Sequence, residues 1–145
     1  MPLNTSYIGR CFTNPEPHLV TRDVIRMFAY GICDPNPVYH EVAAARAAGH
    51  PDLIAPPTFA GLVSGRVALQ LLEDPGFGFD YSRSLHAAQR FRHERPIHAG
   101  DELSTELVLE EADIFAGRER VILRSRIQDA LKQPVGTVLT TIYGQ

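Results

Sequence analysis

The sequence reads as an α+β protein in which one long helix lies against a curved antiparallel sheet. The first half carries apolar residues at helical spacing, and its strongest stretch covers residues 57–73. Beyond about residue 84 the apolar period changes to two and recurs in four runs separated by short turns. A helical half followed by an antiparallel meander is an α+β layout.

Residues 6–13 read as a short strand, ended by Asn14-Pro15-Glu16-Pro17. Thr21 is the expected N-cap of a first helix, with Asp23 in its first turn and Val24, Ile25, Phe28 and Ala29 on one apolar face. Gly31 closes that helix. Asp34-Pro35-Asn36-Pro37 is neither regular helix nor central strand, because two prolines fix φ and remove donors. The alanine-rich residues 41–48 then form a short helix that stops at Gly49.

In the long helix, Phe59, Leu62, Val63, Val67, Leu71 and Leu72 fall near one face, while Ala60, Gly61, Ser64 and Gly65 keep the remainder slim. Gly61 and Gly65 are expected to meet the sheet, so a bulky side chain at Gly65 would overpack. Asp74-Pro75-Gly76 ends the helix. In the strands, one face collects Leu85, Ala87, Gln89, Phe91 and His93. The next runs give Leu103, Thr105, Leu107 and Leu109, then Val121, Leu123, Ser125 and Ile127, and last Val135, Thr137, Leu139 and Thr141. A long helix embraced by such a sheet is the hot-dog arrangement.

The 145 residues fit one compact domain, and 44% hydrophobic content argues against disorder. A single domain covering 1–145 is expected. The net charge of −3, with 17 acidic and 14 basic residues and no long runs, gives no footprint for nucleic acid or a membrane surface. No apolar run approaches the roughly 20 residues of a membrane helix, and no secretory signal is visible, so a cytoplasmic protein is expected. Cys11 and Cys33 form no CxxC pair and are expected to be buried, reduced thiols. No metal pattern and no cofactor motif is present.

Three blocks carry a resemblance. Ala29-Tyr30-Gly31-Ile32-Cys33-Asp34-Pro35-Asn36-Pro37-Val38-Tyr39-His40 resembles the G-D-x-N-P-x-H signature of MaoC-like dehydratases. The likeness continues through residues 44–50 and Leu53-Ile54-Ala55-Pro56-Pro57-Thr58-Phe59, and returns at residues 89–101. The blocks cover most of the chain in the family's order. The resemblance implies a hot-dog fold acting on a hydroxyacyl or enoyl thioester, carried by CoA or ACP. In that family an Asp–His pair moves the C2 proton and the C3 oxygen's proton. A Gly amide at the start of the central helix faces the thioester oxygen, where negative charge develops.

The carry-over makes Asp34, Asn36 and His40 the candidate catalytic residues. Tyr39, Pro57, Thr58, Phe59 and His86 are the candidate substrate-binding ones. Two positions depart from the family pattern. The residue five after Asp34 is Tyr39, with His40 one further on, and one residue turns a side chain by roughly 100° in a helix or tight loop. Pro57 stands where the Gly is expected and has no N–H to donate. These departures resemble the N-terminal MaoC dehydratase domain, and the non-catalytic subunit of actinobacterial (3R)-hydroxyacyl-ACP dehydratases. There one hot-dog carries Asp and His while its partner shapes the acyl channel.

That implies a heterodimer with a second hot-dog subunit in fatty-acid or polyketide-type metabolism. Two other readings stay open: a self-sufficient homodimeric hydratase using Asp34 and His40, and a non-catalytic acyl-thioester-binding protein. A hot-dog thioesterase is disfavoured, since residues 58–72 contain no Asp or Glu. His86 either faces the substrate channel or is an ordinary strand histidine. Arg90, Arg92 and Arg95 are a solvated strand edge or meet pantetheine phosphate or an acidic carrier.

Overall fold

The structure, a computed structural model, describes residues 2–145. Helix α1 (Arg22–Gly31) starts where expected: the Thr21 side chain accepts from the Val24 N–H, supplying one of the orphan donors of the first turn. Helix α2 (Val42–Ala47) ends ahead of Gly49, whose φ of +93° suits a residue without a Cβ. Helix α3 (Phe59–Leu72) follows Pro56 and Pro57, which precede its N-cap Thr58 and so remove no hydrogen bond from the helix.

The strands are β1 (Cys11–Thr13), β2 (His18–Leu19), β3 (Leu85–His93), β4 (Glu102–Phe115), β5 (Arg118–Gln128) and β6 (Pro134–Tyr143). The main sheet runs β1-β4-β5-β6-β3, entirely antiparallel, and β2 adds to the start of β4. Register shifts at His86/Ala88, Leu109/Glu111 and Ile127/Gln128 bend the long strands around α3. This is the hot-dog fold, an α+β architecture, as the sequence predicts.

The core divides along α3. Phe59, Ala60 and Val63 pack with Ile25, Ala29, Leu103, Ile127, Val135 and Val138. One end further, Val67, Ala68, Leu71 and Leu72 meet Leu107, Leu109, Val121, Leu123 and Ile142. Buried hydroxyls occupy the middle of the helix and sheet: Ser64 Oγ lies 2.5 Å from Ser125 Oγ, and Gln89 donates to Thr140 Oγ1 at 3.1 Å.

Several expectations need correction. Residues 6–13 are not one strand: a 3₁₀ turn at Thr5–Tyr7 precedes the three-residue β1. In β6 the buried side chains are Val135, as expected, and then Val138, Thr140 and Ile142, while Thr137, Leu139 and Thr141 are only partly covered. Pairing decides this parity, because Val138 lies opposite Ser125, Thr140 opposite Leu123 and Ile142 opposite Val121, all buried. Leu62 is 37% exposed, off the buried stripe. Both cysteines are free and exposed. Cys33 adopts φ +57°, turning the chain sharply out of α1 toward Asp34.

Gly65 is also not wedged against the sheet: a Cβ built there meets no atom within 4 Å, whereas one on Gly61 lies 3.0 Å from Gln89 Oε1. For the chain without a partner, Gly65→Ala should therefore stabilise α3 by about 0.5–1 kcal/mol, through better helix propensity. A lowered melting temperature in a calorimetric scan would show that something covers this flank.

Candidate functional site

The loop after α1 is built by its own polar side chains. The Asp34 N–H donates to Ala29 O at 2.9 Å, prolonging the helix exit. Asp34 Oδ1 accepts from the Asn36 N–H at 3.0 Å, and Asn36 Oδ1 from the Val38 N–H at 3.2 Å. These are consecutive Asx turns, a frequent use of Asp and Asn beside proline. They set up the 3₁₀ turn Pro37–Tyr39.

Tyr39, the last residue of that turn, and His40, which caps it, send their side chains in different directions. His40 Nε2 sits 2.8 Å from the Asp34 carbonyl oxygen, and its ring packs on Tyr30 with centroids 4.8 Å apart. A carbonyl only accepts, so Nε2 carries the proton, and the buried Nδ1 is left without a partner among the described residues. Tyr39 goes the other way, into a pocket of about 330 Å³. Its phenol is pushed above the ordinary tyrosine pKa by burial first and by the charge of Asp34 second, so the proton stays on the oxygen.

The pocket lies between two laced segments. The Ala55 N–H donates to Ile97 O at 2.7 Å, and the Ala99 N–H to Leu53 O at 2.9 Å. The Ile54 N–H donates to Val38 O at 3.2 Å, tying this floor to the Tyr39 turn. Ile54, Ala55, Pro56 and Pro57 form one side, and residues 93–97 the other. The lining is mostly apolar, with Tyr39, His93, Glu94 and Arg95 as its polar members. Arg95 is paired with two carboxylates: it donates to both oxygens of Asp101 at 2.8 Å and to Asp129 Oδ2 at 3.3 Å. The hydrogen bonds it donates to Asp101 are the main reason its pKa is raised further.

Of the residues expected to bind substrate, the structure brings Tyr39 and Pro57 together in this pocket. Thr58 is exposed just beyond it, and Phe59 is fully buried in the core, edge-on to Phe28 at 5.4 Å. His86 lies elsewhere, on β3, beside a small cavity of about 40 Å³ lined by Gly61, Gly65 and Gln89. Asp34, Asn36 and His40 do not line the pocket. Sequence reasoning missed His93 and Ile97 as lining residues, and for Arg95 it offered a solvated edge or a contact to phosphate or an acidic carrier, without the pairing to buried Asp101 that the structure has. Among the described residues, no group of three His, Cys, Asp or Glu could hold a metal ion. No described helix is long and apolar enough to cross a membrane.

The model of the family described as FAS1-like, dehydratase domain region matches residues 6–130. A UPF0336 protein of Streptomyces avermitilis is 39% identical over 145 residues, covering 100% of this chain and 97% of that protein. A second, from Thermobifida fusca, is 42% identical over 142 residues, covering 98% and 93%. Among solved structures, the C-terminally truncated HadBC (3R-hydroxyacyl-ACP dehydratase) complex of Mycobacterium tuberculosis includes a similar chain. It superposes with a TM-score of 0.84 at 25% identity, over 95% of this chain and 97% of that one. A MaoC-like dehydratase superposes with a TM-score of 0.89 at 28% identity, over 97% of this chain but 42% of its own length.

Proposed function

The chain belongs to the family of FAS1-like dehydratase domain regions, and from that premise we propose that it is the pocket-forming component of a (3R)-hydroxyacyl-thioester dehydratase or enoyl hydratase. The Asp–His pair is supplied by a second hot-dog subunit. One observation carries this reading: the position five residues after Asp34 holds a neutral phenol facing an apolar pocket, while the neighbouring imidazole is tied to a backbone carbonyl and turned away. Such a pocket suits an uncharged acyl or pantetheine segment, because its one guanidinium is already matched by Asp101 and Asp129. Asp34 and Asn36 serve as turn builders in this chain.

Pairing with a second hot-dog is supported by the sheet margin. Among the described residues β3 bonds only to β6, and of its nine residues Phe91 alone is partly covered. Leu85 is 60% exposed. A long bare edge of this kind is normally covered in a native assembly. The similar chain from Mycobacterium tuberculosis comes from a complex whose name is that of a hydroxyacyl-ACP dehydratase. In this reading residues 1–145 form one domain, and the assembly works in the cytoplasm, where exposed Cys11 and Cys33 stay reduced.

Tyr39 would donate its O–H to a ligand carbonyl or amide oxygen. Calorimetric titration with decanoyl-CoA should show binding that Tyr39→Phe weakens about 2- to 10-fold, the net worth of one neutral hydrogen bond. Equal affinity in Tyr39→Phe would remove the phenol from the site, and no binding by the wild type would remove the acyl pocket.

A further inference from the structure

We infer that Arg95 is the positioning residue of this pocket, a staple that holds its wall in register with its floor and does not itself bind the ligand. The inference rests on the pocket reading above only in saying what the held shape is for. Arg95 stands inside the wall segment, and its own N–H and that of Glu94 both reach Val135 O. Its guanidinium then spans two further loops. Asp101, 6% exposed, sits in the turn leading to β4 and takes both forks of the arginine. The same carboxylate accepts from the His98 N–H at 2.9 Å. Asp129 belongs to the β5–β6 turn, where Oδ1 accepts from the Leu131 and Gln133 N–H groups while Oδ2 takes Arg95. Nη1 also donates to Pro96 O at 2.9 Å, within the wall itself.

Both terminal nitrogens of the fork are thus committed. A ligand phosphate would have to displace two carboxylates, one of them buried, so anion capture is the poorer account of this cation. What the fork does control is where residues 94–97 stand. From there the Ile97 carbonyl and the Ala99 N–H fix Ala55 and Leu53 on the opposite side. A lysine keeps the charge but not the planar two-pronged geometry that grips Asp101 and reaches Asp129 at once.

The test compares the wild type with Arg95→Lys and Arg95→Met, using Arg118→Met at the exposed β4–β5 hairpin as control. Amide hydrogen exchange at Ala55 and Ala99 should accelerate about tenfold or more in both Arg95 variants, while Leu123 in the core keeps its protection. Affinity for decanoyl-CoA should fall about tenfold in Arg95→Lys, a shift of about 1.4 kcal/mol in binding free energy. If Arg95→Met fails to fold, Arg95→Lys decides alone. Unchanged exchange at Ala55 and Ala99 in Arg95→Lys would overturn the staple. Faster exchange in a protein whose wild type ignores decanoyl-CoA would support the staple and sink the acyl pocket.

Discussion

Purified alone, the chain is expected to hydrate crotonyl-CoA on the order of 10⁴-fold or more slowly than when mixed with a hot-dog partner that bears an intact Asp and His. Two losses multiply. A positioned general acid–base group contributes roughly 10² to 10⁴ in rate, and here the imidazole that could serve is held 2.8 Å from the Asp34 carbonyl, off the pocket. An oxyanion donor contributes about 10² to 10³, and Pro57 has none to offer from its own nitrogen. The phenol of Tyr39 does not replace a base near neutral pH, because its pKa is raised rather than lowered. The assay follows loss of enoyl absorbance with this chain, with the partner, and with both. His40→Ala in this chain should leave the mixed rate nearly unchanged. Robust turnover by this chain alone, abolished by Asp34→Asn or His40→Ala, would replace the subunit reading with a homodimeric hydratase.

Much of the architecture was legible because period and punctuation agreed. Thr21, Gly49 and the Pro56-Pro57 step mark helix ends by local chemistry, and the structure has α1, α2 and α3 there. In β4 and β5 the buried residues Leu103, Thr105, Leu107 and Leu109, and Val121, Leu123, Ser125 and Ile127, alternate as the sequence does. β6 misled for a physical reason. Its apolar residues Val135, Val138, Leu139 and Ile142 fall on both parities, so only pairing with β5, with its shift at Ile127/Gln128, selects the inner face. β3 has a clear period but little burial, because it lies at the sheet margin and little among the described residues covers it.

The candidate site was less legible. The departure at Tyr39 and Pro57 could be read from spacing, and both line the pocket. That His40 would be captured by the Asp34 carbonyl follows from a loop conformation that no periodicity reports. The Arg95 staple joins Asp101, six residues on, to Asp129, 34 residues on, and contacts of that kind leave no local signature. Phe59 is different, since a signal existed. It shares the helical stripe of Val63 and Val67, which points it into the core, while its place beside Thr58 in the resemblance drew it toward the substrate.

Phe59 therefore gives the largest stability effect expected of any residue singled out as a site candidate. Its ring is 0% exposed, stands edge-on to Phe28 at 5.4 Å and to His18 at 6.0 Å, and packs in the cluster of Ile25, Ala29, Leu103 and Val138. Truncation to Ala removes the transfer free energy of the ring and leaves a cavity that α3 cannot close, because the sheet holds it on the other side. Phe59→Ala should cost about 3–5 kcal/mol in urea unfolding. Against a total of roughly 5–15 kcal/mol for a typical domain, that leaves a marginal fold. Phe59→Leu, which refills most of the volume, should cost under about 1.5 kcal/mol and leave decanoyl-CoA binding as in the wild type. The opposite pattern would move this residue out of the core and into the pocket: an unfolding free energy changed by less than about 1 kcal/mol in Phe59→Ala, a change typical of sites away from packed cores, together with lost ligand affinity in Phe59→Leu.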